Sequence, residues 1–293
     1  MTQPSTSHAG SRLAMIGPAL LGASSFACAD VLSRIALEAG ADVLTISAFR
    51  SGLGLVMLLI CLRLVPRPAP FAPRARWISL GLGVLFAGNV FLLFKAIETV
   101  EVPIAILTYF VYPLLTGWAA AATGHAKLTG RGAAAATAAF LGLALMIGAH
   151  PAELPIVGIL AALAAACCRV AMLLVTRATL AGADALRITW YSLISSTALF
   201  ALAVLTTWSW QPPATQSGWS ALVVLSVAVT TGMLGAFGST LRIGPFRTAL
   251  FMNLEPLLAT IGSALFLGEV ITPLQALGGA VMLAALVTFQ LRK

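Results

Sequence analysis

A handful of ionisable side chains interrupt long apolar runs in this 293-residue sequence, which is 60% hydrophobic and only 9% charged. They are Asp30, Arg34, Arg50, Arg169 and Glu255. Placing such a group at the centre of a bilayer costs roughly 3 kcal/mol on insertion scales, so it faces a bundle interior or a cavity. There it can bind a charged solute, carry a proton or neutralise a neighbour. Asp30 and Arg34 stand at i and i+4 on one helical face, spaced to pair with each other or to serve as a gate or substrate contact. A guanidinium binds a carboxylate bidentately. For Arg50 that carboxylate is Glu255, Asp30 or one on a substrate, unless the side chain snorkels to an interface. Arg169, after Cys167-Cys168, reads equally as a cavity or a packing residue, and Asp30 and Glu255 are the candidate proton carriers.

Uncharged groups extend the list. Pro256 follows Glu255, and a proline removes a backbone donor and frees a carbonyl that must find protein or water at membrane depth. Tyr112-Pro113 is a matching dipeptide earlier in the chain, so Pro113 and Pro256 predict paired helix kinks around one cavity, with Asn253, Tyr109 and Tyr112 nearby. Asn89 either bridges helices or lines that cavity. Trp190 and Tyr191 occupy adjacent helical faces, so at most one points inward. With Phe26 they would suit an apolar or aromatic substrate, although each also reads as packing or lipid contact. Lys95, close to Glu98, is placed to snorkel at an interface.

Bond-making chemistry finds little support. The three histidines, His8, His125 and His150, fall outside or at the ends of apolar runs, and neither HExxH nor GxSxG occurs. No GxxxxGK[ST] loop is present, and Lys95, Lys127 and Lys293 are not preceded by glycine. Cys28, Cys61, Cys167 and Cys168 have neither disulfide nor metal-ligand spacing. Repeated pore-lining rings, which a channel would need, are missing. The expectation is therefore a protein without catalytic residues, metal or cofactor. A formal charge of +8 does not mark a nucleic-acid partner, because 17 bases in so apolar a chain fit loop ends better than a phosphate-binding face.

These residues must be positioned by membrane-spanning helices, since a soluble domain is typically about 25% charged. A span needs ~20 mainly apolar residues. Apolar runs and their interruptions predict spans near 13 to 37, 43 to 64, 76 to 97, 103 to 123, 130 to 149, 155 to 179, 186 to 208, 217 to 241, 246 to 266 and 272 to 291. Arg12 followed by Leu13 to Cys28 looks like a signal peptide, but the apolar character continues beyond it, so a retained first helix is expected. With both ends of the chain inside, inner segments carry thirteen bases: Arg12, Arg63, Arg67, Arg74, Arg76, Lys127, Arg131, Arg177, Arg187, Arg242, Arg247, Arg292 and Lys293. Asp184 is their one acid. Outer segments carry Glu38, Asp42, Glu98, Glu101, Glu153 and Glu269, with at most Lys95 as a base. Because Lys and Arg are retained on the cytoplasmic side, this asymmetry predicts cytoplasmic termini, and Trp77, Trp208, Trp210 and Trp219 fall at boundaries like an aromatic belt.

The chain also repeats itself. Phe94 to Pro113 aligns without a gap with Phe237 to Pro256, an offset of 143, and Leu128-Thr129 resembles Ile271-Thr272 at the same offset. Gly40-Ala41-Asp42 resembles Gly182-Ala183-Asp184 at 142. Five spans per repeat is an odd number, so the halves enter the membrane in opposite directions, as Lys127 and Arg131 in one loop against Glu269 in its counterpart require. The predicted organisation is a tail at 1–12, a first five-helix repeat at 13–149 and an inverted second repeat at 150–293. Secondary transporters are built this way, with a substrate site near the midplane between halves that rock around it.

Arg50 in SAFRSGLGLV, the block Asn253-Leu254-Glu255-Pro256-Leu257-Leu258-Ala259, and Leu267-Gly268-Glu269 followed by Thr272 and Gln275 to Ala280 give the chain its resemblance to the EamA-type ten-helix exporters of the drug/metabolite transporter superfamily. The resemblance covers essentially the whole length and implies an all-α membrane protein of two inverted five-helix repeats that exports small metabolites. Gly124-His125-Ala126-Lys127 departs from it, because family members often carry an acid there. The chain as a whole is most similar to YddG-type amino-acid exporters, which implies aromatic and other neutral amino acids as substrates. A multi-pass protein of the bacterial inner membrane, partnered by lipid and a small-molecule substrate and by no obligate protein, is the resulting expectation.

Overall fold

The structure, a computed structural model, describes residues 7–64, 70–124, 129–148 and 155–291, with the side chains of 7–13 and of the last two left out. The side chains of His8, Arg12, Arg67, His125, Lys127, His150, Glu153, Arg292 and Lys293 thus lie outside the described residues, as does Ala126. Among the described residues there are twelve helices: α1 (Ser7–Glu38), α2 (Val43–Leu64), α3 (Pro73–Ile97), α4 (Val102–Tyr109), α5 (Tyr112–Ala122), α6 (Gly130–Ile147), α7 (Ile156–Thr179), α8 (Ala185–Thr207), α9 (Gln216–Ile243), α10 (Pro245–Met252), α11 (Leu254–Leu267) and α12 (Pro273–Leu291). At 1.5 Å per residue, helices of 22 to 25 residues reach across a hydrocarbon core of about 30 Å. Among the described residues nine segments are long and apolar enough to cross a membrane, and Pro273–Phe289 is a tenth, slightly shorter apolar helix.

Two of the expected single spans are broken helices. The run from 102 to 122 divides into α4 and α5 around Phe110 and Val111, and the run from 245 to 267 divides into α10 and α11 at Asn253. Pro113 and Pro256 supply the cause, since neither has an N–H to donate back to the preceding turn. The chain tightens just ahead of each: Val111 N donates to Thr108 O, and Asn253 N to Leu250 O. The paired kinks predicted at the two prolines thus take the form of paired breaks at matching places in the two repeats.

The pairs α1/α9 and α6/α12 pack antiparallel with small residues at the crossings, as lipid-embedded helices do when backbones must approach closely. A Cβ on Gly235 of α9 would stand 2.6 Å from Gly22 N of α1, and one on Gly142 of α6 would stand 2.7 Å from Gly278 O of α12. The turn between α1 and α2 is hydrogen-bonded to the link between α8 and α9, through Asp42 N to Gln211 O and Ala214 N to Ala39 O. At the other end Arg242 donates to Ala14 O and Arg177 to Leu241 O. The bundle therefore has an acidic end, carrying Glu38, Asp42, Glu98, Glu101 and Glu269, and a basic end carrying Arg63, Arg74, Arg76, Arg131, Arg177, Arg187, Arg242 and Arg247.

Candidate functional site

The intramembrane charges converge between the first helices of the two halves. Arg169 on α7 is only 6% exposed and lies with its guanidinium carbon 5.2 Å from the ring centre of Phe26 on α1 and 5.8 Å from that of Tyr112 at the start of α5. Two aromatic faces thus hold one cation, a favourable arrangement in a desolvated setting. Tyr112 packs 5.4 Å from Tyr109 and 5.7 Å from Phe110, so the break between α4 and α5 presents an aromatic cluster to the same place. Asn89 on α3 stands beside Tyr109 and donates to Ala165 O of α7 at 2.7 Å. Phe26 and Arg169 are themselves separated by the repeat offset, so corresponding positions of the two repeats face each other.

A second cation completes an array. Arg50 on α2 lies 5.8 Å from the ring centre of Phe86 on α3 and within electrostatic reach of Asp30 on α1. Asp30 in turn feels Glu255, and Glu255, in the first turn of α11, feels Arg169. The order is base, acid, acid, base. Among the described residues none of these four closes an ion pair within 4.0 Å of another. Nε of both arginines is buried without a hydrogen-bond partner among the described residues, and Oδ1 of Asn253, 2% exposed at the break between α10 and α11, is in the same position. Asp30, although within electrostatic reach of these groups, keeps exposed surface. Buried polar groups are normally satisfied, and such orphans ask for a bound partner. The half-helix ends add to the field, because the N-termini of α5 and α11 carry partial positive charge beside Tyr112 and Glu255.

Other expected residues are placed elsewhere. Arg34 does not turn back to Asp30; its Nη1 meets Glu269 Oε1 at 2.6 Å and Ser263 Oγ at 3.5 Å, joining α1 to the end of α11. One turn beyond Asp30 brings it opposite the C-terminus of α11, whose partial negative charge favours a cation. Tyr191 stacks on Phe71 with ring centres 5.4 Å apart and planes 7° apart, and Trp190 meets Tyr191 edge-on at 4.9 Å. Phe71 precedes α3, so this aromatic set belongs to the basic end rather than to the surroundings of Arg169. Lys95 pairs with Glu98 at 2.9 Å, both half exposed at the acidic end. Phe86 is a member the sequence did not announce: an apolar residue in an apolar helix carries no signal beyond its place three positions before Asn89. Among the described residues no three His, Cys, Asp or Glu side chains gather as a metal site would require.

Comparison with known proteins agrees with this architecture. No curated protein matches the sequence. A solved structure titled "Crystal structure of protein" superimposes with a TM-score of 0.76 at 19% identity, covering 94% of this chain and 98% of that one, which shows a shared fold. The EamA-like transporter family matches the sequence twice, over residues 14–148 and again over 156–289, one match per repeat. The chain is a multi-pass membrane transporter of small molecules and belongs to the EamA-like transporter family.

Proposed function

We propose that this protein exports small metabolites, above all amino acids with aromatic or neutral side chains, across the bacterial inner membrane by alternating access. The basic end then faces the cytoplasm, together with both ends of the chain, as the retention of Lys and Arg on that side requires. The observation that carries the reading is the un-neutralised array of Arg50, Asp30, Glu255 and Arg169 at the junction of the two repeats. Two cations and two anions that do not close on each other suit a solute bearing both signs, and the rings of Phe26, Tyr109 and Tyr112 suit an apolar side chain beside it. Inverted repeats place such a site where rocking of the halves exposes it to each side in turn. Nothing in the reading calls for a bond to be broken, for a cofactor or for a second protein.

Counterflow in proteoliposomes tests it. Vesicles preloaded with unlabelled phenylalanine or leucine should take up the labelled amino acid faster than empty ones, with uptake saturating in substrate and no single-channel currents. Failure across a broad panel of amino acids would overturn the substrate class. Saturating counterflow of another metabolite in the same vesicles would redirect it.

A further inference from the structure

Within that reading, on which this inference rests, we propose that the two ends of the substrate are gripped by different halves of the array: Arg169 clamps the carboxylate, and Glu255 with Asp30 holds the ammonium. The carrier then accepts zwitterions and rejects the amine or the ester made from the same amino acid.

The geometry distinguishes the two arginines. Phe26 and Tyr112 both lie within 6 Å of the Arg169 guanidinium and Tyr112 also engages it through its hydroxyl, so the group is held in place while the edge at Nε has no partner among the described residues. The donors along that edge match the two oxygens of a carboxylate. Arg50 has a single ring beside it and faces Asp30 from the far end of the array. Its Nε is unpaired as well, but Asp30 is the charge that bears on it and Glu255 is not, so Arg50 serves to offset the acid at that end of the array. Asp30 on α1 and Glu255 on α11 stand on helices that pack against each other, with Asp30 in the electrostatic reach of Glu255, and a cation placed between the two carboxylates relieves their repulsion. In an α-amino acid a single carbon separates ammonium from carboxylate. The two grips must therefore be neighbours in the array, and Glu255 and Arg169 are.

Specificity follows from the cost of leaving desolvated groups unpaired. A phenylalanine methyl ester keeps the ammonium but offers Arg169 no charge, phenethylamine offers it nothing, and 3-phenylpropionate leaves the two acids facing each other. A charge-assisted hydrogen bond lost in a buried site corresponds to roughly ten- to a hundredfold in affinity.

The test is competition for labelled phenylalanine counterflow by these three analogues, in wild type and in Arg169→Lys, Arg169→Met and Arg50→Met, each checked for monodispersity and thermal stability. Wild type should prefer phenylalanine over each analogue by about ten- to a hundredfold. Arg169→Met should lose most phenylalanine transport and erase the preference over the ester, Arg169→Lys should keep part of both, and Arg50→Met should slow transport with the preference intact. A wild type that carries phenylalanine yet treats the ester equally overturns the clamp and leaves the amino-acid reading standing. The clamp is likewise overturned if preference survives Arg169→Met or is lost in Arg50→Met. Absence of any amino-acid counterflow in wild type is the separate failure of the reading beneath it. If the Arg169 variants do not fold, the wild-type selectivity series alone decides.

Discussion

The two halves share a backbone plan and divide its chemistry. Each begins with a long helix, breaks its fourth span one turn ahead of a proline, and crosses the other at small residues. At corresponding positions of the two repeats the side chains differ in kind: Phe26 against Arg169, Tyr112 against Glu255, Asn89 against Gly232. In the first two pairs the first half supplies a ring where the second supplies a charge. Both members of the first pair touch, and Tyr112 contributes its ring to the same guanidinium. A broken, closely packed scaffold requires only the prolines and the small residues, so the remaining positions near the junction are free to differ. That difference makes the junction of the halves amphipathic, with rings from the first half and ions from both, since Asp30 and Arg50 also belong to the first.

Making the halves alike should undo the function without undoing the fold. Arg169→Phe gives α7 the residue that α1 has at the corresponding position. Amino-acid counterflow should fall on the order of a hundredfold, while thermal stability holds or rises, because replacing a buried ion by an apolar group of similar size removes a desolvation cost. A stability collapse accompanying the loss would assign Arg169 to structure instead.

The third pair separates in stability rather than transport. A Cβ on Gly232 of α9 would stand 2.9 Å from the Phe26 ring, so Gly232→Asn, which copies Asn89, forces that ring aside. Overpacking of this kind costs about 1–3 kcal/mol, read as a lower melting temperature. The reverse direction is milder. Asn89→Ala removes the 2.7 Å hydrogen bond to Ala165 O, a carbonyl within a continuous helix, and should cost about 1 kcal/mol. If Asn89→Ala proved the more damaging of the two, the close approach of α1 and α9 would not be the tighter junction.

These contrasts also show what the sequence could disclose. The spans were legible because hydrophobic thickness dictates their length and loop charge their alternation, and the repeat because both halves kept Pro113 and Pro256. The breaks at Phe110 and Asn253 lay inside continuous apolar runs, where a proline announces a perturbed turn but not a full interruption. The i, i+4 spacing puts Arg34 beside Asp30, because local spacing is all a single helix offers. Its partner Glu269 comes from the far end of the chain, and only tertiary packing brings it near. Trp190 and Tyr191 lie on a helix whose apolar residues fall on every side, which gives no face from which to infer direction. Phe86 needed the position of Arg50 before it had meaning.

The ends of the bundle repeat the contrast on a smaller energy scale. Arg34 and Arg177 again occupy corresponding positions, yet Arg34 closes an ion pair with Glu269 at the acidic end, while Arg177 donates to a backbone carbonyl, Leu241 O, at the basic end. The counterpart of Glu269 in the first repeat is Ala126, which has no charge to offer. Both partners of the acidic-end pair are about half exposed, at 50% and 46% of their side chains, so water and salt weaken it. A double-mutant cycle of Arg34→Gln and Glu269→Gln, read by thermal unfolding in detergent, should give a coupling of only about 0.2–1 kcal/mol that shrinks in roughly 1 M salt. Under the alternating access proposed above, a strong clasp between α1 and the end of α11 would hold the acidic end shut, and a weak one would not. A coupling well above that range, or one indifferent to salt, would mean that the pair is shielded and that opening this end must break more than one exposed contact.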